Sequence, residues 1–435
     1  MAPGRRHLCP QHLGSACCLA RSLILRRVCP RCDLLCRPVV CAHTPCQHPP
    51  HEQLLRSYAA DGLPALSYAS QLRSLPADEQ RSLSGALWLG WATHMFLPLA
   101  SALPLGDATL SALLRSVESR RSNLRDLVDL RSWPPTLLGH IKNCTRERTD
   151  AYFRGFAVDF TYESNRIEGS TLSLRQTQEL ARPFFWKWTP TPAPVPDFIP
   201  RHQRANALAA LDHLAAWQYV QSTLQQADLG TLTLSAILEL HQRAMARSLV
   251  SYFGTSSAGR WRDLDVSVSG THLVAPVHEE VPAVMAKLME WMHEHAESVW
   301  HTAVGSSSPS PSSSSTVSSH PVVFAAMVHL YFVNVHPFED GNGRVARLLM
   351  NQVLMHHGYP PINIRARDRE LLPYFQGLQQ GQPQVGGAAA DFKPFLRFVA
   401  AKMERTLARL HKELMSDRES CADRGVVQPT PLQGQ

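Results

Sequence analysis

The chain has 435 residues, 44% of them hydrophobic and 18% charged, which is enough for one or two folded domains and too apolar for disorder throughout. Of its 43 basic and 36 acidic side chains, seven and one lie in residues 1–50, leaving a body of 36 and 35. The net charge of +7 is therefore a property of the first segment, and a near-neutral body argues against nucleic acid as a partner.

Eight of the ten cysteines lie between Cys9 and Cys46, so the body has no disulfide framework and a reduced, cytoplasmic setting is expected. Residues 1–50 read as a Cys- and Arg-rich tail or leader, with organellar targeting as the alternative. Residues 82–106 carry no formal charge and are long enough to span a membrane. His94, Pro98 and Pro104 favour buried helices there instead.

Apolar residues at three- and four-residue spacing predict a helix over 110–130, within a helical N-terminal region at 51–150. Residues 151–200 read as one further helix ending near Gly169, followed by the proline-rich connection TPTPAPVPDFIP. The catalytic-type domain is expected at 201–412, with helices over 203–225, 233–249 and 279–298. Alternation around Gly270 predicts a short hairpin over 265–276. A serine-rich insertion occupies 305–319, and residues 413–435 read as a disordered tail. Pro321 suits the first turn of a helix whose apolar residues Val323, Met327, Leu330 and Val335 supply one buried face. A second buried helix follows and ends at Gly358. The fold class is mainly α.

Between those two helices lies HPFEDGNGRVAR, residues 336–347. A helix start leaves backbone N–H groups unpaired and carries partial positive charge. Gly341 and Gly343 let a ligand approach that backbone, and with Asn342 they form an anion cradle. Arg344 and Arg347 are three apart and can lean to one side of the first turns, as a polyphosphate requires. Asp340 is a hard oxygen ligand of the kind phosphate-bound Mg²⁺ needs. His336 lies just outside the cradle, with an ordinary pKa suited to a general base.

This ordered set resembles the core motif of the Fic family, HPFx(D/E)GNGRxxR, without a substitution. The resemblance extends over about 150–410 and implies a Fic-type helical bundle with a β-hairpin flap, built from 258–270 and 274–282, over the active site. It implies transfer of AMP from ATP, with Mg²⁺, to a hydroxyl of a protein substrate. His336 would be the base and Asp340 the metal ligand. Gly341, Asn342 and Gly343 would stabilise the α-phosphate, and Arg344 and Arg347 would hold the outer phosphates. SNRIEG, residues 164–169, resembles the family's inhibitory motif (S/T)xxxE(G/N), which implies that Glu168 competes with the γ-phosphate for Arg347. Tyr374, in PYFQGL, is the counterpart of a tyrosine near the adenine. A homodimer would suit an enzyme regulated through its inhibitory helix. Removal of AMP from a modified protein, or a silent nucleotide-binding scaffold, are the alternatives.

Overall fold

The structure is a computed structural model that describes residues 107–125, 128–129, 136–137, 144–186, 194–224, 232–254, 256–266, 273, 275–304, 320–382 and 390–422. The expectations for 1–50, the uncharged stretch 82–106 and the serine-rich insertion lie outside the described residues. No helix among the described residues is long and apolar enough to cross a membrane.

In chain order, α1 is Ala108–Arg125, α2 Cys144–Ile167, α3 Leu174–Trp186, α4 Arg204–Leu224 and α5 Leu234–Phe253. Then come α6 Val281–Val304, α7 Pro321–Val335, α8 Asn342–His356, α9 Asp368–Gln380 and α10 Lys393–Ala422. The strands among the described residues are β1, Val128–Asp129, and β2, Thr136–Leu137, paired antiparallel with Val128 opposite Leu137. The hairpin anticipated at 265–276 is not seen. Its residues 267–272 and 274 lie outside the described set, and the described ones carry no strand. Side chains tie its two arms instead. Arg262 Nη2 donates to Pro276 O, and the His278 backbone N–H donates to Asp265 Oδ1 at 2.9 Å.

α7 is the axis of the fold. Fourteen of its fifteen residues are buried, so the single buried face expected for it is in fact the whole circumference. α8 lies beside it, α6 and α10 cover further sides, and α4 supports α8. α7 starts at His320, whose Nδ1 accepts from Val322 N, and at Pro321, whose missing N–H costs nothing in a first turn. One continuous apolar core runs from Leu110 on α1 to Leu414 on α10, so the N-terminal and catalytic regions share a core. Residues 413–422, expected as part of a tail, are helical. Leu407, Leu410 and Leu414 keep the apolar spacing, and α10 continues to Ala422.

α2 ends where expected. Gly169 has φ 91°, its N–H reaches Arg166 O, and Ser170 N reaches Asn165 O, a paired closure that satisfies the last carbonyls. This stop leaves Glu168 at the tip of α2, facing the start of α8.

Candidate active site

The turn between α7 and α8 is built on Phe338, which is fully buried. Its ring lies against His241 of α5, with centroids 3.6 Å apart and planes 3° apart, and Trp261 stacks nearby at 5.1 Å. Asn342 closes the loop from inside. Its Oδ1 accepts from Phe338 N at 2.9 Å, and its Nδ2 donates to Phe338 O at 2.8 Å.

His241 locks the turn to α5. Its Nδ1 accepts from Gly259 N at 2.9 Å, so the ring proton sits on Nε2, which donates to Asp340 O at 3.0 Å. Burial lowers its pKa to about 4, so the ring is neutral at physiological pH.

The mouth of α8 presents open backbone and free helix-start donors. Gly341 caps the helix in the left-handed region, φ 84°, and no side chain caps it. A side chain at Gly341 would also collide with Met245, whose Cγ and Sδ lie 2.7 Å from the position of a Cβ. The N–H groups of Asn342 and Gly343 lead the helix with no intrahelical acceptor. Asp340 sits at the rim, its Oδ1 accepting from Gly341 N at 2.6 Å and its Oδ2 paired with Arg344 at 3.2 Å. Arg344 is buried, and its Nε has no hydrogen-bond partner. A buried guanidinium N–H without an acceptor is a place for a ligand oxygen.

A carboxylate stands beside this helix start. Glu168 Oε1 lies 2.6 Å from where a Gly343 Cβ would stand and 2.7 Å from Arg347 Nη2. All three guanidinium nitrogens of Arg347 have partners. Its Nε donates to Ser164 Oγ at 2.9 Å, Nη2 also reaches Ser164 O at 3.0 Å, and Nη1 reaches the Tyr374 hydroxyl at 3.3 Å. That hydroxyl in turn lies 3.1 Å from His329 Nε2. Burial, and next the Arg347 charge, lower His329 to about pKa 3.

His336 closes α7 on the other side of the same turn. Its Nδ1 lies 3.1 Å from Val333 O, and a carbonyl can only accept, so Nδ1 carries the proton and Nε2 the lone pair. Burial lowers its pKa to about 4, which keeps that lone pair available at pH 7.

Residues 231–354 match the family model described as Fic/DOC family. The chain carries a Fic domain. A protein adenylyltransferase Fic of Nematostella vectensis is 31% identical over 325 residues, which is 73% of this chain and 63% of the relative. One from Aedes aegypti is 32% identical over 251 residues, 58% of this chain and 41% of the relative. The chain thus spans less than two thirds of the length of either. Among solved structures, a C. elegans Fic-1 fragment aligns with a TM-score of 0.50 at 23% identity and 84% coverage of each chain, a likeness of fold.

The structure brings the motif residues together at the α7–α8 turn, and two side chains lie otherwise than the sequence suggested. The Asn342 side chain is bound to Phe338 through both Oδ1 and Nδ2, so it is the backbone N–H of Asn342 that faces outward along the helix start. Tyr374 is 1% exposed and supports Arg347 from beneath, rather than lining an open surface. Three residues that touch the site escaped the sequence reading of the Fic motif: His241, His329 and Arg262. The two histidines sit in ordinary helical sequence, and all but one of the contacts that matter here are with backbone atoms or with Tyr374.

Proposed function

We propose that this site transfers AMP from ATP to a Ser, Thr or Tyr hydroxyl of a protein, and that Glu168 restrains it. The observation that carries the reading is the Glu168 carboxylate seated on Gly343 and held by Arg347. This supports the reading because a carboxylate beside Gly343 would compete with a substrate phosphate approaching the helix start.

In the reaction, the acceptor hydroxyl gives its proton to His336 Nε2. Its oxygen attacks the α-phosphorus, the bond between that phosphorus and the bridging oxygen breaks, and pyrophosphate leaves. Arg344, through its unpartnered Nε, and the N–H groups of Asn342 and Gly343 stabilise charge on the phosphates. Arg347 would hold the γ-phosphate once Glu168 withdraws. Asp340 is the residue that would hold Mg²⁺: its carboxylate lies at the rim, and after meeting Gly341 N and Arg344 it keeps lone pairs for a cation. When bound, that ion neutralises phosphate charge. The arm at 256–266 lies beside the motif through Trp261 and would form part of the cover over the bound nucleotide.

The test is Glu168→Gly with labelled ATP and Mg²⁺. Self-labelling well above wild type is expected, and it should vanish in Glu168→Gly, His336→Ala. No gain over wild type defeats the restraint, and labelling that survives the loss of His336 defeats the assigned base. Presenting AMP-modified protein to the wild type reads the reverse direction.

A further inference from the structure

His336 is the one non-glycine residue with positive φ, 51°, among the described residues. A left-handed backbone costs an ordinary residue about 1 kcal/mol or more, so the surroundings must impose it. The N-terminal side of the turn is fixed by α7, because His336 N donates to Phe332 O at 3.1 Å and its ring N–H meets Val333 O. The C-terminal side is fixed by Arg262. Its Nε donates to His336 O at 2.8 Å, and its backbone N–H donates to Pro337 O at 3.0 Å. Two consecutive carbonyls of the strained turn therefore end on one residue of the 256–266 arm.

The rest of the guanidinium is anchored as firmly. Nη1 donates to Leu264 O at 3.0 Å and Nη2 donates to Pro276 O, one on each arm of the segment. The side chain is buried, and the Asp265 carboxylate stands 3.8 Å from Nη1, one third exposed. Three carbonyl acceptors around one guanidinium describe a site set by donor geometry. That arrangement needs a rigid fork of donors, which lysine lacks.

We infer that Arg262 is a positioning residue for the base: by clamping the carbonyls of His336 and Pro337 it sets the direction of His336 Nε2, and it couples that direction to the seating of the 256–266 arm. This rests on the reading of His336 as the base. Near-attack geometry is sensitive to such support, and a displacement of about 1 Å can cost about 100-fold in rate. The arm is thus a source of aim for the base as well as a cover.

The experiment places Arg262→Lys and Arg262→Gln in the Glu168→Gly background. Both should lower kcat by about 100-fold with the KM for ATP within about twofold, because the nucleotide's own contacts are intact. Lysine should not rescue. A Lys variant with the parent kcat overturns the clamp, since charge alone would then suffice. A second readout needs no turnover: in protein with ¹³C-labelled histidine, the His336 ring signal, identified by its absence in His336→Ala, should move in both variants. If Glu168→Gly itself fails to label, the AMP-transfer reading fails, and the His336 signal still decides the clamp. A signal unmoved in both variants overturns it. Melting temperatures accompany each protein, and if the Gln variant does not fold, the Lys variant, which keeps stem and charge, carries the comparison.

Discussion

Gly343 shows what one missing side chain leaves room for. Its φ is not in the left-handed region, so the backbone would accept alanine, and alanine favours a helix by about 1 kcal/mol. What excludes it is space. A Cβ there would stand 2.6 Å from Glu168 Oε1 and 3.1 Å from Arg347 Nη1. Gly343→Ala should therefore push Glu168 away from the helix start, yet gain no labelling, because the same methyl obstructs the phosphate. The double variant Glu168→Gly, Gly343→Ala should melt no lower than Glu168→Gly and label at least about 10-fold more slowly. Equal labelling rates would mean that phosphate does not approach this backbone closely. Asn342 makes the complementary case. Its side chain holds the Phe338 backbone at both N–H and C=O, so Asn342→Ala orphans two buried groups. A loss of about 2 kcal/mol in urea denaturation is expected, beyond any change in nucleotide binding.

At the level of elements, the end of α8 is held by α1. Arg121, buried on α1, donates from Nη2 to His357 O at 2.9 Å and from Nε to Gly358 O at 3.2 Å. Its guanidinium also lies over the Tyr359 ring at 4.2 Å. Gly358 turns left-handed there, φ 70°, and the arginine satisfies the carbonyls that the helix end leaves over. Arg121→Met keeps the stem but strands those carbonyls. Hydrogen bonds of charged donors contribute about 1.5–3 kcal/mol each, and pooled losses are not additive, so roughly 3 kcal/mol should be lost in chemical denaturation. A change below about 1 kcal/mol would place the anchoring of α1 in its apolar contacts alone. α4 and α5 are joined by similar means, because the buried Asp212 carboxylate accepts from the N–H groups of Arg247 and Ser248 and from Arg247 Nε.

Across the whole molecule, what was legible in the sequence was what is local. Helices α4, α5 and α6 fall near their expected spans because a periodic apolar face is written in consecutive residues. The α7–α8 turn was legible because its chemistry is contiguous. The pairing of Glu168 with Arg347 spans 179 residues and was reachable only through a family resemblance. Arg262 and His241 were not legible as site residues, since their acceptors at the turn are backbone carbonyls, which have no residue identity to pattern. The full burial of α7 was hidden for a related reason: its neighbours are chosen by packing from distant segments. Those segments also bury histidines in the core. Burial is the leading cause that lowers His329 and His357 to about pKa 3 and holds His213 well below 6.5. The unfolded chain takes up protons near 6.5 that the folded chain refuses, so these groups give full stability above pH 6.5 and lose it as pH falls toward their folded values. Each contributes a slope of about 1.4 kcal/mol per pH unit, on the order of 4 for the three together, and His241 and His336, lowered to about 4, add to it in the same direction. The raised carboxyls of Asp159 and Glu280 oppose this, and Glu118, lowered to about 2, adds its loss only below about pH 4.5. Urea denaturation at pH 7, 6 and 5 should show stability falling steeply below pH 6, and His329→Gln should lessen that slope by about 1.4 kcal/mol per pH unit. A flat profile from pH 7 to 5 would mean that these rings meet protons in the folded state, and that the centre of the fold is wetter than its packing implies.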